Sequence, residues 1–262
     1  MLKKAPLVGA FFVGAIWQSP ALAFCPLPER PALVAVRSVV DGDTVRLADG
    51  RSVRLIGINA PERARKGRAA QPYAEAARQR LQALVKASDG KVGLVIGSEP
   101  KDKYGRTLAH IYSRSGNNLE AQLLSEGLGY RVAVAPNVRL AGCQAQAEQV
   151  ARQRRVGVWR GSPVQPAWRL REAGFAVLSG KISKIERNRG GIWLELDGAV
   201  TLQVPTRLQR HFPANFVDNL KGRQVEARGW VVDRSRKGRL QPGQRRWLLP
   251  LTDPSMLTAV SG

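Results

Sequence analysis

Apolar and polar residues alternate with a period of two through "ALVAVRSVV", which ends at Asp41 and predicts a strand. The triplets "DGD" and "ADG" are turn signals. "TVRL" and "RSVRLIGI", which follow them, read as two further strands of a meander. The period then changes. In "QPYAEAARQRLQALVKA", residues Tyr73, Ala77, Leu81, Leu84 and Val85 share one helical face, and Pro72 suits the first turn. "KVGLVI" and "TLAHIY" are strand-like, separated by the turn "DKYGR". "NLEAQLLSEG" reads as a short helix stopped by Gly127, and "AGCQAQAEQVARQRRVGVW" as a last helix with Cys143 near its start.

"GSPVQPAW" then reads as a linker. Beyond it the pattern is short strands: "FAVLSGKISKIE", "GIWLELDG", "AVTLQVP", "RQVEARGWVVD" and "RRWLLPL", with a helical insert near "TRLQRHF". Five short strands predict a second small barrel, with the OB type as the candidate. The pattern divides the chain into residues 24–162 and 163–262. The fold class is mainly β with helices (α+β).

Composition adds a partner class. An apolar fraction of 44% belongs to a folded protein, and Lys plus Arg exceed Asp plus Glu by 42 to 20, a net charge of +22. Such an excess attracts polyanions, nucleic acid first and anionic lipid second. No basic amphipathic helix with bulky apolar anchors supports the lipid reading. Both halves carry the excess: residues 24–162 hold 23 basic and 12 acidic side chains, and residues 163–262 hold 17 and 8.

"MLKK", "APLVGAFFVGAIW" and "ALA" have the form of a secretion signal, so residues 1–23 are expected to be removed after Ala23. The expected location is the periplasm or the medium, with no stable membrane association after cleavage. Phe24 stands where a lipidated cysteine needs a small residue before it, which argues against a lipoprotein. The two cysteines, Cys25 and Cys143, are then expected to pair. With only His110 and His211 besides them, a zinc site or a Cys–His nucleophile has little to draw on. His110, in "TLAHIY", reads as a packed or partly exposed strand residue rather than a ligand.

Taken singly, the polar residues of the meander are ordinary. Asp41 and Asp43 form turns readily, Arg54 sits in a strand, and Glu62 and Arg106 sit in loops. Their combination is specific. "DGDTV", "VRLIGINAPE" and "DKYGRTLAHIY", in this order and ending at "GVW", closely resemble the staphylococcal nuclease (thermonuclease) family over roughly residues 33–159. The resemblance implies a five-stranded OB barrel with three helices and Ca²⁺-dependent hydrolysis of DNA and RNA. Position by position it implies Asp43, Asn59 and the Ala60 carbonyl as metal ligands, and Asp41 as an acid reaching the ion through water. It implies Arg54, Glu62 and Arg106 as the catalytic trio, and Tyr104 as a phosphate contact. Asn59 departs from the family's aspartate, which removes one negative charge from the ligand set. Tyr130 aligns with no role.

The second half is expected to extend the grip on nucleic acid through the loops "RNRGG", "DRSRKGR" and "GQRRW". Trp193, Trp230 and Trp247 are read as core residues of its strands. No protein partner is predicted. The alternative function is a non-catalytic nucleic-acid-binding protein that retains the barrel.

Overall fold

The computed structural model describes residues 25–27, 31–65 and 67–260. The expected signal segment, Met1–Ala23, lies outside the described residues. The first half contains β1 (Leu33–Asp41), β2 (Thr44–Leu47), β3 (Ser52–Leu55), β4 (Ile58–Asn59), α1 (Ala74–Ala87), β5 (Lys91–Lys101), β6 (Thr107–Tyr112), α2 (Leu119–Ser125), β7 (Tyr130–Arg131) and α3 (Ala141–Arg154). Strands β1-β2-β3-β6-β5 close a barrel in which β3 and β6 run parallel. Inward positions such as Val45, Leu47, Val53 and Leu55 meet Leu81, Leu84 and Val85 of α1 in one core. With the buried Ala77 they make up the apolar face that the helical period predicts, except for Tyr73, which caps the helix outside it with φ +68° and is exposed. α1 starts at Ala74, so Pro72 precedes the helix instead of opening its first turn.

"RSVRLIGI" is not one strand. Gly57 adopts φ +89° and breaks it into β3 and β4. A side chain at Gly57 would also collide with Gln144, whose amide donates to the Ile56 carbonyl at 3.1 Å. The turn lets β4 leave the barrel and pair with β7, Asn59 opposite Tyr130.

The second half contains β8 (Val164–Pro166), β9 (Gly174–Asn188), β10 (Gly191–Leu196), β11 (Val200–Pro205), β12 (Gln224–Asp233), β13 (Trp247–Pro250) and β14 (Leu257–Ala259). Strands β9-β10-β11-β13-β12 form a second barrel, closed by pairing of β12 with β9. Its third and fifth strands, β11 and β13, are parallel, so the strand order of the first barrel recurs. The expected helical insert is a 3₁₀ segment, Thr206–His211. The stretch read as a linker is instead structured. β8 pairs in parallel with β9, because backbone groups there are satisfied by the neighbouring sheet despite two prolines.

The two barrels share more than a connection. Val132, Ala133 and Ala135, which precede α3, are buried in the core of the second barrel. Arg131 donates to the Ser255 carbonyl at 2.6 Å, and the Thr252 hydroxyl donates to the Ala133 carbonyl at 2.6 Å. The disulfide Cys25–Cys143 is present and joins residues 118 apart in sequence. No helix among the described residues is long and apolar enough to cross a membrane.

Candidate active site

The turn between β1 and β2 carries Asp41 and Asp43. Its glycine is required by space: a side chain at Gly42 would lie 2.6 Å from the Cβ of Ala77 and 2.7 Å from that of Ala60. Absence of a side chain lets α1 and the segment after β4 close over the turn. Asp43 is buried, and its Oδ2 accepts the Ala60 N–H at 2.9 Å. Oδ1 accepts the Thr44 hydroxyl at 3.0 Å. Asp41 accepts the Asp43 N–H at 3.2 Å. Burial, then the neighbouring Asp43 carboxylate, pushes the Asp41 carboxyl up to about 6.

Arg54 points from β3 into the same place. Its Nη2 lies 3.0 Å from Asp43 Oδ2 and 3.4 Å from Asn59 Oδ1. Its Nη1 donates to the carbonyls of Leu55 and Ile58 at 2.7 and 2.8 Å, so the guanidinium is fixed on the Gly57 turn. Glu62 is exposed and held by its main chain: its N–H donates to Gln71 Oε1, and its carbonyl accepts the Gln71 N–H, both at 2.8 Å. Its carboxylate has no hydrogen-bond partner among the described residues.

Arg106 and Tyr104 come from the turn between β5 and β6. Asp102 organises that turn, accepting the N–H groups of Tyr104 and Arg106 at 2.9 and 3.0 Å. Its Oδ2 also accepts Arg106 Nε at 2.7 Å. Burial pushes the Asp102 carboxyl up, but these Arg106 and Tyr104 bonds outweigh it and hold it below the usual range. Tyr104 is 73% exposed, with Lys103 over its ring at 5.0 Å.

Asp41, Asp43, Arg54, Asn59, Glu62, Tyr104 and Arg106 all line one cleft of about 930 Å³. Ala60 abuts it through its bond to Asp43. Two aspartates and an asparagine amide oxygen line the cleft, oxygen donors of the kind that suits a hard divalent cation.

Three further residues line the cleft: Arg65, Lys103 and Trp230. Arg65 belongs to the basic run "RARKGR" and Lys103 adjoins Tyr104, so both carry a charge signal in the sequence. Trp230 carries none. It was expected in the core with Trp193 and Trp247, yet only Trp247 is buried. Trp193 bonds Asn188 through Nε1 at 2.8 Å under the Arg234 guanidinium, on the barrel surface. Trp230 is 39% exposed because it stands on the face of β12 that points away from the second barrel's core, two positions beyond the contact that Glu226 and Arg228 make with α3. His110 is buried, 3.2 Å from Glu120 and away from the cleft.

The family model described as "Staphylococcal nuclease homologue" matches residues 52–161. A thermonuclease of Staphylococcus intermedius is 34% identical over 127 residues, spanning 47% of this chain and 74% of the relative. A micrococcal nuclease of Shigella flexneri is 30% identical over 148 residues, 52% of this chain and 78% of the relative. The endonuclease YncB of Bacillus subtilis is 33% identical over 132 residues, and this chain spans 61% of its length.

Proposed function

The chain belongs to the staphylococcal nuclease family, and from that premise we propose an exported, Ca²⁺-dependent nuclease hydrolysing DNA or RNA with little sequence preference. One observation carries the reading. Asp43, Arg54, Glu62, Tyr104 and Arg106, drawn from three separate segments, line a single open cleft. We take residues 24–162 as the catalytic unit and 163–262 as a nucleic-acid-binding unit fused to it.

Asp43, Asn59 and the Ala60 carbonyl would hold the ion, with Asp41 behind them. Bound there, Ca²⁺ supplies charge neutralisation and orientation of the phosphodiester. Glu62 is placed to accept a proton from the attacking water, its main chain fixed by Gln71 and its carboxylate left free. That water forms the new P–O bond as the bond to the departing sugar oxygen breaks, and that oxygen takes up a proton from solvent at the open cleft. Arg106, whose side chain bonds only through Nε among the described residues, keeps both Nη groups for the equatorial oxygens. Arg54, anchored by two carbonyls, presents a fixed positive charge that needs no reorganisation during reaction. Neither arginine releases a proton readily, so both act as electrophilic clamps. Tyr104 contacts a neighbouring phosphate. Export accords with the disulfide and with the signal-like residues 1–23.

The test is a cleavage assay of the purified protein on plasmid DNA and on RNA, with Ca²⁺ and with EGTA. Cleavage that requires Ca²⁺ and is lost in Glu62→Gln is the expected result. Binding without cleavage across a wide Ca²⁺ range would make the protein a nucleic-acid binder that keeps the barrel. Cleavage surviving Glu62→Gln would remove Glu62 from the mechanism.

A further inference from the structure

We propose that Trp230, carried by the second barrel, is a nucleobase-stacking platform of the cleft, so that the enzyme takes an unstacked base of a single strand. This rests on the nuclease reading of the same cleft.

Residues along β12 alternate between two environments. Val225, Ala227 and Val231 point into the second barrel's core. Glu226, Arg228 and Trp230 occupy the other face. Glu226 and Arg228 dock that face onto α3 of the first barrel, through Arg152 at 2.6 Å and Glu148 at 2.7 Å. Two positions further along the same face comes Trp230, and it lands in the cleft with Asp43, Arg54, Glu62 and Tyr104. The docking that joins the barrels therefore also sets the height of the indole over the site.

Aromatic packing holds it there. Trp230 lies opposite Phe175 in the β9–β12 ladder, with ring centroids 5.4 Å apart and edge-on. Phe175 packs on Tyr130 at 5.2 Å, and Tyr130 on Trp159 at 5.5 Å. Four rings thus run from the interior of the joint to the cleft, and only the last is substantially open, at 39% exposure. An aromatic buttressed from behind and open in front loses little freedom when a flat ligand stacks on it.

The ligand class follows from the company it keeps. Arg65, Lys103 and Arg106 make the cleft cationic, which draws a phosphate backbone. A base attached to that backbone has a π-face whatever its identity, so stacking on an indole adds affinity without sequence preference. In a duplex that face is covered by the neighbouring base pairs, so single strands and frayed ends are favoured.

The experiment uses the full chain and its variants Trp230→Ala and Trp230→Phe. KM and kcat are measured on a single-stranded oligonucleotide, on its duplex, and on a strand of abasic tetrahydrofuran residues. Binding of the same strands is measured by fluorescence anisotropy in EDTA, where no cleavage occurs. Trp230→Ala should raise KM and Kd for the base-bearing single strand about tenfold, with Trp230→Phe retaining most of the native affinity. On the abasic strand, native protein and Trp230→Ala should agree within about twofold, since no base is present to stack. Equal affinity of native protein and Trp230→Ala for the base-bearing strand would overturn the proposal. So would an equal loss on the abasic strand, which would mark a structural defect. Failure of native protein to cleave anything would sink the nuclease reading alone, because the anisotropy arm still decides the stacking.

Discussion

Asn59 is the residue on which the proposed metal chemistry turns. It lines the cleft beside Asp43, and among the described residues its amide oxygen accepts only a long 3.4 Å bond from Arg54. A carbonyl oxygen coordinates a hard cation but brings no charge to it. Asn59→Asp should therefore lower the Ca²⁺ concentration for half-maximal activity by roughly tenfold, since affinity follows the number of charged ligands. A calcium titration of activity, with calorimetry of Ca²⁺ binding to both proteins, checks this; unchanged values would mean that position 59 does not touch the ion. Glu62→Gln should reduce kcat by about 10²–10⁴-fold with KM nearly constant. The residue's main-chain anchors to Gln71 survive the change, so a loss confined to kcat separates proton transfer from folding.

At the scale of elements, the meeting of β12 with α3 governs stability. Arg228 is buried between Glu148 and Glu226, 2.7 Å from each, and Arg152 completes the group at 2.6 Å from Glu226. Removing one member strands a charge in the joint. Arg228→Ala should cost about 3–5 kcal/mol in denaturant unfolding, whereas an exposed pair such as Arg114–Asp89 should give under ~1 kcal/mol. The same group makes stability acid-sensitive. Burial raises the Glu226 carboxyl, but Arg152 and Arg228 outweigh it and hold it below its usual 4.5. A depressed carboxyl contributes stability above its unfolded pKa and loses it as pH falls through the folded one. The melting temperature should therefore fall as the pH drops below about 4.5, and less steeply in Glu226→Gln. The strands of both barrels were readable from period-two alternation, and α1 from its apolar face, because those patterns are local. The break at Gly57 and the pairing of β8 were not, since each is set by a partner distant in sequence: Gln144 for one and β9 for the other.

The whole molecule is two barrels of one strand order that cannot be cut apart cleanly. Deleting residues 163–262 would bare Val132, Ala133 and Ala135 and leave Arg131 and Glu148 without their partners across the joint. The truncated chain should melt at least about 10 °C lower than the full one, as loss of a buried pair and apolar cover implies. Calorimetry of the two would show it, and an unchanged Tm would mean that the first barrel is self-sufficient. By itself the sequence determined the strands and helices, the cationic character and the three motifs of the first barrel. Periodicity, net charge and motif spacing are properties of neighbours along the chain. Even the disulfide could be inferred from the count of two cysteines. Only the tertiary structure decided which face of β12 looks outward, and with it the place of Trp230. An alternating strand has two faces and its sequence does not label the solvent. The label comes from α3, whose Glu148 and Arg152 draw Arg228 and Glu226 to the joint and carry the next outward side chain into the cleft.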